Sequence, residues 1–211
     1  MNKRILVVTL LIGVVLASCS VYQFRERWTK EQAPETFKAR FETTQGNFDI
    51  EATRSLSPKA VDRLYQLIRR DYYKNVAIYR VVPNFVAQFG IYNDSLYNEM
   101  WAEYKIPDEP VKQSNESMTI AFARGGVDTR STQLYINLKD NKRLDTLQWS
   151  GVTGFPVIAK VVEGEEVVRK FYSGYGEAPG KEQGVIQSKG NAFLKEKYPK
   201  LDYIEQAYIL N

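Results

Sequence analysis

Residues 79–90 read YRVVPNFVAQFG. They open inside Asn75–Val82, a run rich in β-branched and aromatic residues that predicts a strand, and Pro83-Asn84 stops it. One cation, Arg80, sits in that apolar run. A guanidinium keeps its charge and presents five donors in a fixed plane, so leaving it unpaired in a half-buried strand is costly. Beyond the turn come Phe85, Val86 and Gln88, which supply an aromatic wall, an aliphatic wall and an amide. Such a set suits a small apolar pocket with a few convergent polar groups. The same residues equally describe a core strand with one arginine snorkelling to water.

Working outward, the flanking elements alternate or repeat. Phe37–Thr43 places Ala39, Phe41 and Thr43 on one side and Lys38, Arg40 and Glu42 on the other. Gln45-Gly46-Asn47 is a turn, and Phe48, Ile50 and Ala52 alternate after it, which predicts a β-hairpin. Ser57-Pro58 reads as a helix N-cap followed by proline at the first helical position. Val61, Leu64, Leu67 and Ile68 then recur at helical spacing, opposite Asp62, Arg63, Gln66 and Arg70, over about Pro58 to Arg70. Ile91–Asn115 is irregular and polar. Strands are expected at Met118–Ala123, Thr132–Asn137 and Gly154–Val162, followed by a helix at Glu165–Tyr172. Asn141–Thr153 and the Gly-rich Gly174–Lys189 read as loops. Asn191 is placed to cap a short helix, Ala192–Tyr198, and Leu201–Leu210 reads as a final strand. Many strands and two main helices suggest a closed antiparallel barrel with helices at its ends.

Composition narrows the chemistry. The 211 residues include no histidine and one cysteine, Cys19. That excludes Ser-His-Asp and Cys-His catalysis, a His-ligated metal site and an internal disulfide. What remains is chemistry that needs only binding and electrostatics. The formal charge is +4, and without Lys3 and Arg4 it falls to 27 basic against 25 acidic residues, so nucleic acid is not an expected partner.

The N-terminus reads as an address. A basic start, Met1–Arg4, leads into an unbroken apolar run of 12 residues, Ile5–Leu16, too short for a comfortable span of ~20 residues and right for a signal-peptide core. Leu16-Ala17-Ser18-Cys19 resembles a bacterial lipobox, which implies cleavage before Cys19 and its acylation. Ser20 after the cysteine favours the outer membrane. The expected division is residues 1–18 signal peptide, 19–36 lipidated N-terminus and tether, and 37–211 a single domain. Tyr22, Phe24 and Trp28 in the tether have two possible resting places, lipid headgroups or the domain.

The long motifs now resemble those of one family. Tyr79–Gly90 is similar to the cyclophilin signature aromatic-Arg-Val-[Val/Ile]-Pro-x-Phe-x-x-Gln-x-Gly, and Ser117–Leu138, SMTIAFARGGVDTRSTQLYINL, resembles the family's second conserved stretch. Gly154–Val168, GFPVIAKVVEGEEVV, follows in the expected order. The resemblance implies a mainly β, closed eight-stranded antiparallel barrel capped by two helices, with Gln187–Pro199 as an added short helix before the last strand. It implies peptidyl-prolyl cis-trans isomerisation without cofactor or metal, proline-containing polypeptides as partners and a monomer. Arg80 would be the catalytic arginine, Phe85 the floor of the proline pocket and Gln88 the amide that holds the arginine. Val86, Ala123, Arg124, Gln133, Tyr135, Leu144 and Phe155 would meet the substrate. The chain departs from the family where Val86 replaces Met, Arg124 replaces Asn, Tyr135 replaces Phe, Arg143 stands for a frequent Trp and Phe155 falls near a His. The departures at Arg124, Arg143 and Phe155 leave a non-catalytic peptide-binding or holdase module as an alternative. A lipid-anchored barrel of another kind, such as a lipocalin with a wide internal cavity, is a second.

Overall fold

A computed structural model of the chain describes residues 24–210. The predicted signal segment, Tyr22 and Cys19 lie outside the described residues. Among the described residues no helix is long and apolar enough to cross a membrane.

Among the described residues eleven strands form, nine of them in one antiparallel sheet. They are β1 (Thr36–Thr43), β2 (Gly46–Thr53), β3 (Val76–Ala77), β4 (Arg80–Val82), β5 (Val86–Phe89), β6 (Thr119–Phe122), β7 (Leu134–Asn137), β8 (Gln148–Trp149), β9 (Val152–Thr153), β10 (Val157–Glu163) and β11 (Tyr203–Leu210). The sheet order is β3-β11-β1-β2-β10-β6-β7-β5-β4, while β8 and β9 make a separate hairpin. The expected closed eight-stranded barrel is therefore a curled nine-stranded sheet whose ladder does not close. Its two edges are nonetheless successive pieces of chain, since only Ile78-Tyr79 separates β3 from β4. The predicted strand Asn75–Val82 is split because its first part pairs with β11 and its second with β5.

The curl is filled by side chains, with Phe41, Phe48, Ile50, Phe89 and Ile136 all essentially inaccessible to solvent. Helix α1 (Pro58–Arg69) supplies Val61, Leu64, Leu67 and Ile68 to this core. Arg63 and Gln66, expected on its solvated face, are instead buried. Arg63 donates to the carbonyls of Ser131 and Tyr104 and lies over the Trp101 ring, and burial pushes its guanidinium down to about 10. Gln66 donates to the carbonyls of Thr29 and Glu31. The segment read as a tether is thereby docked from Phe24 onward. It includes a 3-10 turn, Glu26–Lys30, and Phe24 packs edge-on against Trp101 with ring centroids 5.2 Å apart.

Three further expectations change. Ile91–Asn115 contains helix α2 (Ser95–Glu103), capped by Asp94, whose side chain accepts from the Tyr97 N–H at 2.8 Å. The helix expected over Glu165–Tyr172 is a single turn, α3 (Glu165–Val168). The short C-terminal helix is the second half of α4 (Gln183–Lys197), whose backbone breaks at Gly190 (φ 61°, ψ −151°). Asn191 does not cap it. Its backbone N–H donates to Asn93, and its side-chain amide donates to the Asn75 carbonyl.

The start of α1 is capped from outside the helix. Ser57 makes no side-chain cap bond, and its hydroxyl donates to Glu109 at 2.5 Å. Glu109 also accepts from the backbone N–H groups of Lys59 (2.9 Å) and Ala60 (3.2 Å), so its charge meets the positive end of the helix. The same carboxylate lies 3.3 Å from Arg130, which is fully buried and whose guanidinium is lowered by that burial. Removing one member of a buried pair strands the other. Glu109→Ala is expected to lower unfolding stability by about 2–4 kcal/mol, from a lost cap and from leaving buried Arg130 with Asp108, at 3.8 Å, as its remaining acidic partner. Urea unfolding should show a lower midpoint at an unchanged slope.

Candidate active site

The cleft is built on the outer face of β4-β5-β7-β6. Along β5, Ala87 and Phe89 enter the main core, whereas Val86 and Gln88 point the other way. The same alternation sends Ile120 and Phe122 of β6 inward and leaves Ala121 and Ala123 outward. On β7 it divides Leu134 and Ile136 from Tyr135. Register then sets one row across four strands: Arg80 faces Gln88, Gln88 faces Tyr135, and Tyr135 faces Ala121. The hairpin that joins β4 to β5 turns at Asn84 (φ 57°), with the Phe85 N–H bonded to the Val82 carbonyl at 3.0 Å.

The result is a cleft of about 350 Å³. Nine of the ten sequence-predicted side chains for catalysis or substrate binding line it: Arg80, Phe85, Val86, Gln88, Ala123, Arg124, Tyr135, Leu144 and Phe155. Gln133 lies in an adjoining hollow of about 210 Å³ that shares Gln88, Ala123, Arg124 and Gln183 with the cleft. Arg143 also lines the cleft, with its guanidinium 4.9 Å from the Phe85 ring centre.

Arg80 is held by a chain of polar groups. Its Nη1 donates to Gln88 Oε1 at 2.9 Å, Gln88 Nε2 donates to Gln133 Oε1 at 3.1 Å, and the Tyr79 hydroxyl donates to the same oxygen at 2.6 Å. Burial pushes the Tyr79 hydroxyl far up, so it stays a donor at any ordinary pH. On its other side the guanidinium meets Glu177. Nε donates to Glu177 Oε2 at 2.6 Å and Nη2 to Oε1 at 2.8 Å. These bonds use one N–H on each nitrogen and leave one on Nη1 and one on Nη2.

The far wall is the segment that carries Leu144 and Phe155, joined by a Phe155 N–H bond to the Leu144 carbonyl at 2.9 Å. Asp145 fastens it, accepting from Ser114 (2.5 Å) and from both the backbone and side-chain nitrogens of Asn115 (2.8 Å each). Burial alone would raise the Asp145 carboxyl, and these donors bring it below its usual range. Asn115 also accepts from the Tyr135 hydroxyl at 3.1 Å, fixing that ring at the floor. Arg124 turns its side chain away from solvent, pairs with Asp108 at 3.3 Å and stacks on Phe155 with Cζ 4.5 Å from the ring centre. Burial lowers its guanidinium.

Four contributors were not foreseen. Leu147 and Trp149 come from the segment read as loop, Gln183 from the unrecognised first half of α4, and Glu177 from the Gly-rich stretch before it. Only Trp149 left a sequence trace, as an aromatic in a polar loop.

The sheet is thus curled and antiparallel, with an arginine-bearing apolar cleft on its outer face. The family model "Cyclophilin type peptidyl-prolyl cis-trans isomerase/CLD" matches residues 38–190, so the chain belongs to the cyclophilin-type peptidyl-prolyl cis-trans isomerases. It is 29% identical over 165 residues to peptidyl-prolyl cis-trans isomerase B of Escherichia coli, which covers 70% of this chain and 95% of that one. It is 27% identical over 130 residues to a peptidyl-prolyl cis-trans isomerase of Acinetobacter baylyi, with 61% and 68% covered. A crystal structure of a cyclophilin-type isomerase of Cryptosporidium parvum, determined in the presence of the dipeptide Ala-Pro, superimposes with a TM-score of 0.58 at 17% identity. That match covers 82% of this chain and 99% of the other.

Trp149 is 54% exposed on the rim of the cleft, while Trp101 is fully buried. Titration with an X-Pro peptide should therefore change tryptophan emission, and Trp149→Phe should remove most of that change.

Proposed function

We propose that the chain accelerates rotation about X-Pro bonds in exported polypeptides, with Arg80 as the catalytic residue. The observation that carries this is the row in which Arg80 faces Gln88 beside the apolar slot of Phe85, Val86, Tyr135 and Leu144. The barrier to rotation is ~18–20 kcal/mol and comes from amide resonance. Unaided, the step takes tens of seconds or longer. The slot would hold the pyrrolidine ring while the rest of the chain stays in solvent. As the bond twists, the imide nitrogen regains its lone pair, and a free Nη N–H of Arg80 would donate to it. That bond is complete only in the twisted state, so it lowers the barrier without tightening the planar forms. No nucleophile or proton transfer is needed, which suits a chain that lacks histidine.

Arg80→Ala is expected to stay folded by circular dichroism and to lose about 10- to 200-fold in kcat/KM, the equivalent of one hydrogen bond from a charged donor. Arg80→Lys should recover little, because a single mobile ammonium does not reproduce the planar fork. Equal rates for wild type and Arg80→Ala would favour a non-catalytic peptide-binding module.

The domain from residue 37 onward would be carried on a lipid anchor at Cys19 on a bacterial cell envelope, with the outer membrane favoured by Ser20. Several acyl chains, each contributing ~0.8 kcal/mol per buried methylene, would hold it firmly. In sequence only Ser20–Gln23 separates Cys19 from Phe24, which packs on Trp101, so the cleft would work close to the bilayer. Mass spectrometry of native protein should show an acylated Cys19 at the N-terminus, and an unmodified thiol there would remove the anchor from the proposal.

A further inference from the structure

Glu177 stands outside the apolar slot, yet it makes two of the three hydrogen bonds that hold Arg80. Gln88 alone fixes only Nη1 and leaves the guanidinium free to swing about its stem. A carboxylate that accepts from Nε and Nη2 together fixes the plane, because the two parallel bonds match the fork of the guanidinium. The same segment touches the arginine a second time. A Cβ on Gly180 would lie 2.8 Å from Arg80 Cδ, so the stem packs directly on the backbone there and only glycine leaves room for it.

The clamp is itself braced. Tyr175 packs on Tyr172 and on Tyr198, each at 5.0 Å between ring centres, and Pro179 is buried. Glu182 ties the far end, accepting from Lys197 at 2.5 Å and from the Tyr198 hydroxyl at 3.0 Å. Glu177 therefore rides on a fixed segment between two anchored points. The arginine beside it holds its carboxyl below the usual range, so Glu177 stays ionised through neutral pH.

We infer that Glu177 is a positioning residue for the isomerase reaction, holding the Arg80 guanidinium in the one plane that aims its free Nη N–H groups into the slot. The inference rests on the isomerase function proposed above. It assigns the chain's Gly-rich stretch a task in catalysis, with Gly180 as the second half of the clamp.

The test is steady-state kinetics on an X-Pro peptide together with nitrogen-15 NMR of the arginine Nε–H groups. In wild type the Arg80 Nε–H signal, identified by its loss in Arg80→Lys, should exchange slowly with water. In Glu177→Ala it should broaden or exchange fast. kcat should fall about tenfold with KM within about twofold, since the residue does not touch the slot. Glu177→Gln keeps one acceptor and should recover part of kcat. Gly180→Ala, which leaves Glu177 in place but crowds the Arg80 stem, should give the same kcat-selective loss and serves if Glu177→Ala does not fold. Unchanged or raised kcat in both folded variants, with active wild type, would overturn the inference alone. An inactive wild type would overturn the isomerase function and the inference with it.

Discussion

A guanidinium placed in the middle of an apolar strand has to be partnered from every side, and much of this fold answers that requirement at Arg80. Its cross-strand neighbour Gln88 faces it by register, Gln133 holds Gln88 and is held in turn by Tyr79, and Glu177 closes the exposed side. Tyr79 and Gln88 share residues 79–90 with Arg80, whereas Gln133 and Glu177 come from distant stretches of chain. Elements distant in sequence are thus tied to one charged group, and the pocket beside it inherits their rigidity.

The sheet manages this because β5, β6 and β7 are buried on both faces. Alternation along β5, β6 and β7 sends one set of residues to the main core and the other to the cleft, which is roofed by the segment bearing Leu144 and Phe155. Small residues, Ala121 and Ala123, lie on the cleft side, where Tyr135 and Phe155 pack edge to face with ring centres 6.1 Å apart. Two further arginines on that side stack on its aromatic rings, Arg143 on Phe85 and Arg124 on Phe155. A cation lying over a ring adds about 0.5–2 kcal/mol according to how dry the site is. Three guanidiniums therefore share an apolar cleft without filling it.

What could be read from sequence was what register and local pattern determine. Arg80 and Gln88 lie eight apart across a tight hairpin, so strand pairing brings them together, and the predicted pocket residues converge. The hairpin Thr36–Thr53 and helix α1 followed from alternation and from the spacing of Val61, Leu64 and Leu67. Where long-range contacts decide, the pattern was silent. Arg63 and Gln66 read as solvated because nothing local reveals that residues 29–31 and the Tyr104 and Ser131 carbonyls will cover and satisfy them. Helix α2 escaped because its buried face is made of Tyr97, Asn98 and Trp101, a mixed set without a clean apolar stripe. The first half of α4 was hidden by Gly184 and by the break at Gly190. Glu177 was invisible for a simpler reason: its partner lies 97 residues away.

The junction of β3 and β4 has a consequence for a member of the isomerase family, whose partners are other polypeptides. A sheet ordinarily ends in rows of unpaired amide groups that recruit any extended segment nearby. Here the two end strands are two and three residues long and follow each other through Ile78-Tyr79, with the Ile78 N–H already spent on the Asp202 carbonyl. Little free edge is left for a client strand to join. Polypeptides rich in exposed β segments could thus pass the cleft without the catalyst becoming a template for their aggregation.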